Sequence, residues 1–108
     1  MLTIRRVDQD LYKKQRQRRN YAAAVVYINY SAVCQLMEGQ EYRINLRPGR
    51  YIIESEINKM PTKTLDIFVT ERDMTVELGI SNTGYDNSVG KTGILFYKPD
   101  AYIKIAEE

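Results

Sequence analysis

From residue 22 onward, apolar and polar side chains alternate with a period of two. In Tyr42-Arg43-Ile44-Asn45-Leu46 the apolar positions are 42, 44 and 46. Leu65, Ile67 and Val69 alternate with Asp66 and Phe68, while Met74, Val76, Leu78 and Ile80 alternate with Thr75, Glu77 and Gly79. Successive side chains of a strand point to opposite faces, so each segment buries one face and wets the other. Antiparallel sheets read this way, whereas parallel strands covered on both sides read as continuous apolar runs.

The punctuation between these segments agrees. Arg47-Pro48-Gly49-Arg50 places Pro and Gly where a type II turn needs a preset φ and a positive φ, and predicts a reversal from Leu46 to Tyr51. Glu38-Gly39, Glu71-Arg72-Asp73 and Lys98-Pro99-Asp100 mark three more reversals. Strands are expected near 2–7, 22–29, 32–37, 40–46, 50–57, 64–69, 74–80, 94–98 and 101–106. The expected fold is therefore all-β, a single-domain antiparallel β-sandwich of seven to nine short strands. Two segments depart from the alternation. Asp8 to Asn20 has apolar residues only at Leu11 and Tyr12, and both a short polar helix near 9–19 and an irregular loop fit it. Ser81 to Gly93 is rich in Gly, Ser, Thr, Asn and Asp and is expected to be a long loop, a length that functional or mobile loops reach.

Composition narrows the chemistry. The 108 residues contain no His, no Trp, one Cys and nine Tyr. Histidine-based acid–base catalysis, Ser-His and Cys-His triads, histidine-containing zinc sites and an internal disulfide are thereby excluded. No apolar run approaches the length of a membrane-spanning helix, and the N-terminal Met1-Leu2-Thr3-Ile4-Arg5-Arg6 lacks the apolar core of a secretory signal. With a single Cys34, the expected location is cytoplasmic, with no membrane association. Asn29-Tyr30-Ser31 matches a glycosylation acceptor, a match without consequence in that compartment.

The net charge is only +2, but it is unevenly placed. Residues 1–20 carry seven basic and two acidic groups, a net +5, and the remainder a net −3. Lys13, Lys14, Arg16, Arg18 and Arg19 fall within seven positions and resemble an arginine-rich nucleic-acid-binding segment. Arginine forks match phosphate geometry, and five phosphate contacts on duplex DNA would give a salt slope of about −4.5. The plainer reading is a solvated basic segment, or one that pairs with an acidic protein surface.

Other candidates are weaker. Gly84 to Thr92 superficially resembles a phosphate-binding loop, but five residues separate Gly84 from Gly90 and a strand rather than a helix follows. Asp86, Asn87 and Ser88 could offer oxygens to calcium but lack the spacing of a calcium loop, and Asn and Asp stabilise turns unaided. Neither a metal nor a cofactor is expected. Tyr27, Tyr30, Tyr42, Tyr51, Tyr97 and Tyr102 are read as strand residues used for cross-strand packing. Tyr85, with Asp86 and Asn87, is the candidate ligand loop of a carbohydrate-binding sandwich. Cys34 has no basic neighbour in sequence to activate it and reads as a small strand residue. Glu54 and Glu56 share one strand face, as a wet face would.

Val25-Val26-Tyr27-Ile28-Asn29 through Gly39, followed by Tyr42-Arg43-Ile44-Asn45-Leu46-Arg47-Pro48-Gly49-Arg50-Tyr51, resembles PEGA-like and carboxypeptidase-regulatory-like small β-sandwich modules over about residues 22–80. That resemblance implies a non-catalytic accessory or adhesion-type module and carries no functional residue across. The expected function is a non-enzymatic binding or assembly module whose partner is another protein or a second copy of itself. A nucleic-acid-binding protein using residues 13–19 is the alternative, and a carbohydrate-binding sandwich the third reading.

Overall fold

The alternating segments do become strands. The computed structural model describes residues 1–8, 22–85 and 97–106. Among these are β1 (Leu2–Arg6), β2 (Ala24–Ile28), β3 (Ser31–Leu36), β4 (Glu41–Ile44), β5 (Gly49–Ile57), β6 (Met60–Pro61), β7 (Leu65–Val69), β8 (Met74–Tyr85) and β9 (Tyr97–Ile105). One sheet has the order β4-β1-β8-β9; the other has the order β3-β2-β5-β6, with β7 also paired to β5. Their inner faces share one core. Leu2, Ile4, Val76, Leu78 and Ile80 meet Ala24, Val26, Ile53, Ile57, Ile67 and Val69 there, nearly all fully buried. Burying each large aliphatic side chain contributes about 1.5–3 kcal/mol, which makes this shared face the main source of cohesion. The result is an all-β sandwich, mostly antiparallel, as the alternation implied. The segment 9–19, where a polar helix also fitted, lies outside the described residues.

Three local expectations are corrected. Pro48-Gly49 does not form a hairpin. β4 pairs with β1 in one sheet and β5 with β2 and β7 in the other, so this stretch carries the chain across the sandwich. Gly49 accordingly has φ 157°, not the roughly +80° of a type II turn. Tyr42 and Tyr51 sit in different sheets and pack on the common core. The Tyr51 hydroxyl donates to the Arg47 carbonyl at 2.8 Å, bracing the crossing.

Second, Lys98-Pro99-Asp100 does not reverse the chain but lies within β9, and β8 continues to Tyr85 into the expected loop. Ser81 pairs with Asp100 and Gly84 with Lys98, so two residues of β8 oppose Pro99. Such a bulge suits a residue without an N–H, and β9 is an edge strand, where proline is tolerated. Third, β1 and β8 are parallel, with Leu2 opposite Met74 and Arg6 opposite Leu78.

Among the described residues, two hairpins turn on two residues without glycine. Asn29-Tyr30 joins β2 to β3 with φ of 49° and 68°, and Asn58-Lys59 joins β5 to β6 with φ of 51° and 62°. Positive φ at both central residues matches the twist of a two-residue hairpin. The Asn29 side-chain oxygen accepts from the Ile52 amide at 2.9 Å, which ties the first of these turns to β5. Tyr30 is thus a turn residue, 70% exposed, rather than a strand residue.

Gly79 lies opposite Tyr102 where residues 7–8 pass over β8, and a Cβ there would overlap the Val7 carbonyl. Gly79→Ala is expected to cost about 1–3 kcal/mol in urea unfolding, because backbone must shift to admit the methyl. Gly39→Ala, at φ 83° with open space around it, is expected to cost about 1 kcal/mol from the left-handed conformation alone. A Gly79→Ala loss no larger than that of Gly39→Ala would contradict this packing.

Candidate functional site

Arg6 continues the inward row of Leu2 and Ile4, and so places a guanidinium in the core at 1% exposure. Its Nε donates to Asp8 Oδ1 at 3.1 Å and its Nη2 to Asp8 Oδ2 at 3.3 Å, a two-pronged match of planar groups. Its Nη1 donates to the carbonyls of Leu36, at 2.7 Å, and Ala22, at 2.9 Å. Asp8 is equally enclosed, with its side chain 4% exposed. Its Oδ1 also accepts from the Ile80 amide at 3.1 Å. Desolvating two charges is expensive, and the cost is offset only when such bonds satisfy both groups. One buried pair therefore joins the end of β1 to β8 in its own sheet, and to the end of β3 and the approach to β2 in the other.

Asp8 and Ala22 are also the described residues flanking 9–21. Arg6 binds both, so the two ends of a segment bearing Lys13, Lys14, Arg16, Arg18 and Arg19 are held at one point on the sandwich rim. Those five residues themselves lie outside the described residues. The same rim is the one beyond which β8 and β9 extend, since Val7 pairs with Leu78 and the two strands run on to Tyr85 and Tyr97. Tyr85 ends β8 opposite Tyr97, while Asp86 and Asn87 lie outside the described residues. Topology thus brings to one end the attachment points of both segments singled out from the sequence.

The described basic side chains of residues 1–20 are both paired. Arg6 is neutralised inside the core by Asp8. Arg5 spends its charge on Glu77, with Nη2 3.2 Å from Oε1. Across the outer face of this sheet, Glu41, Arg5, Glu77 and Lys104 stand at one level on four neighbouring strands with alternating sign. Glu77 Oε2 also receives the Tyr102 hydroxyl at 3.0 Å and lies 3.5 Å from Lys104 Nζ. Arg5, Glu77, Lys104, Ile105 and Ala106 line a cleft of about 370 Å³. Its carboxylate is already engaged on both oxygens, so it is neutralised and braced rather than poised as a base.

Burial first, then the Glu77 carboxylate and its hydrogen bond, and the Asp8 charge, hold the Tyr102 phenol well above its ordinary range; Arg5 opposes them. The hydroxyl is a neutral donor, which also reaches the Val7 carbonyl at 2.6 Å. Cys34 faces the core from β3, half-buried, and burial raises its thiol pKa, favouring the protonated form. Glu54 and Glu56 occupy the outer face of β5, as expected, and Glu54 accepts from the Thr64 hydroxyl at 3.4 Å. Beside them, Ala22, Ala23, Val25, Tyr27, Glu56, Asn58 and Lys59 line a shallow groove of about 440 Å³.

The Arg6 joint was not read from the sequence, although a signal for it exists: opposite charges two apart, Arg6 and Asp8, at the end of an inward apolar row. Among the described residues, no helix is long and apolar enough to cross a membrane. Comparison with protein-family models, with curated proteins and with solved structures finds no match to this chain.

Removing one partner of the buried pair leaves the other charge without compensation. Arg6→Met is expected to destabilise the fold by about 3–5 kcal/mol in urea unfolding, and Arg5→Met, at a half-exposed pair, by about 1 kcal/mol or less. Equal losses would contradict the joint. Tyr102 contributes a pH dependence of definite sign. The unfolded chain ionises its phenol near pH ~10 while the folded chain holds it neutral, so this stabilisation is fully present below that pH and is lost as pH rises above it. Stability of Tyr102→Phe, followed by urea unfolding, is expected to fall less steeply above about pH 10 than that of the wild type.

Proposed function

We propose that this chain is a non-catalytic binding module that engages a protein partner with an acidic surface at the rim held by Arg6. One observation carries the reading: a single buried guanidinium binds both Asp8 and Ala22, and so fixes the base of the segment containing Lys13 to Arg19. A rigid sandwich that holds both ends of a charged connection is a common way to present recognition residues, because the scaffold supplies the fold and the connection supplies the contacts. The chemistry nearby supports binding over catalysis. Glu77 is engaged by Arg5, Tyr102 and Lys104, and burial favours the protonated form of Cys34. The resemblance to small accessory sandwich modules points the same way.

The reading is tested by titrating the full chain with a labelled poly-glutamate peptide and, separately, with a labelled single-stranded RNA, following anisotropy at low and high salt. Peptide binding is expected to weaken with salt. A variant with Lys13, Lys14, Arg16, Arg18 and Arg19 all changed to Gln is expected to lose it while keeping the wild-type Tm. Peptide binding undiminished in that variant would overturn the reading. RNA bound more tightly than the peptide through the same five residues would replace the protein partner with a nucleic acid.

A further inference from the structure

Val25 and Tyr27 are the outward residues of β2, each half-buried. Their cross-strand neighbours are small or polar. Tyr27 stands between Ala32 on β3 and Glu54 on β5, and Val25 between Gln35 and Glu56. Ala32 has no side chain long enough to cover the Tyr27 ring from its side. Where the chain enters β2 it adds only the methyl groups of Ala22 and Ala23. These leave open the groove of about 440 Å³ that Tyr27, Glu56, Asn58 and Lys59 also line.

The polar groups of this groove complement one another in kind. Asn58 Oδ1 accepts from the Ala22 amide at 2.8 Å, which fixes the side chain and leaves Nδ2 as the donor. Glu56 offers only acceptors and Lys59 only donors. Both are exposed, and among the described residues neither takes part in an ion pair. Their charges cancel, so the groove favours neither an anion nor a cation.

We infer that this groove binds a neutral saccharide, with one pyranose ring against Tyr27 and its hydroxyls shared among Glu56, Asn58 and Lys59. A hydroxyl both donates and accepts, so neighbouring hydroxyls of one sugar give to a carboxylate and receive from an amide and an ammonium. The C–H face of a pyranose is slightly positive and lies favourably on the negative face of an aromatic ring. Tyrosine supplies that area at low entropic cost. A zwitterion would meet both charges as well, but ion pairs between exposed groups in water contribute little. The volume also falls within the range of small-ligand sites, about 300–1,000 Å³.

The site uses none of Lys13, Lys14, Arg16, Arg18 and Arg19, so it can fail without the peptide-binding reading, and that reading without it. The test follows backbone amide shifts of the isotope-labelled full chain. Maltose, cellobiose, lactose and N,N′-diacetylchitobiose are added separately to about 50 mM, well above a millimolar dissociation constant. At least one is expected to shift the amides of residues 22–27 and 56–59 saturably. Tyr27→Leu is expected to raise its dissociation constant at least about tenfold, and Glu56→Gln and Asn58→Asp about three- to tenfold each. Asn58→Asp keeps the acceptor for the Ala22 amide, so its weaker binding reports the lost donor rather than the turn. The variant with all five basic residues changed to Gln is expected to bind as the wild type does. Glycylglycine serves as the zwitterionic contrast. No shift with any of the four saccharides, shifts confined to other parts of the chain, undiminished binding by Asn58→Asp and Glu56→Gln, or tighter binding of glycylglycine at the same amides would each overturn the assignment.

Discussion

The guanidinium of Arg6 carries more of the architecture than any apolar side chain beside it. Two sheets of a sandwich touch through side chains, and apolar contacts alone let one layer slide on the other at small cost. Arg6 reaches from β1 to the Leu36 carbonyl in the opposite sheet and to Ala22, while its partner Asp8 accepts from Ile80. Each of these bonds has a direction, and together they set how the layers lie on each other at that end. An apolar pair of equal volume could match the stability, since a buried ion pair gains little net energy. It could not hold three chain segments at fixed distances.

Close approach around this joint propagates along β1 and β8. Residues 7–8 must pass over β8 for Asp8 to reach Arg6, and only glycine at position 79 leaves room for the Val7 backbone. The Tyr102 hydroxyl then closes on the Val7 carbonyl from β9. On the outer face of the same sheet, the alternating row of Glu41, Arg5, Glu77 and Lys104 is self-neutralising, so this face presents little net charge. The other basic groups of the first twenty residues belong to the sequence segment whose ends the joint holds.

The outer face of the other sheet has a different character. Tyr27, Ile52 and Phe68 form a diagonal across β2, β5 and β7, flanked by Glu54, Arg50 and Asp66. Scattered exposed apolar residues are ordinary. Phe68 is 62% exposed on β7, which pairs with β5. The turns at this face also carry strain. Tyr30 and Lys59 adopt positive φ without being glycine, at a cost of about 1–2 kcal/mol each, which the hairpins they close must offset.

The strands were legible in the sequence because their cause is local. The backbone pleat sends neighbouring side chains to opposite faces, so Leu65-Asp66-Ile67 or Val76-Glu77-Leu78 announces a half-buried strand wherever it is placed. The wet face of Glu54 and Glu56 followed from the same pattern. What the sequence left open, the tertiary structure decided, because it depends on partners far along the chain. Pro48-Gly49 has the chemistry of a tight turn, yet becomes a crossing because β4 finds β1 and β5 finds β2. Pro99 has the chemistry of a breaker, yet sits in a strand because a bulge in β8 accommodates it. Arg6 counts as one more surface charge until Asp8, Ala22, Leu36 and Ile80 surround it. A charge is buried or exposed according to which atoms converge on it, and that convergence exists only once the sheets have packed.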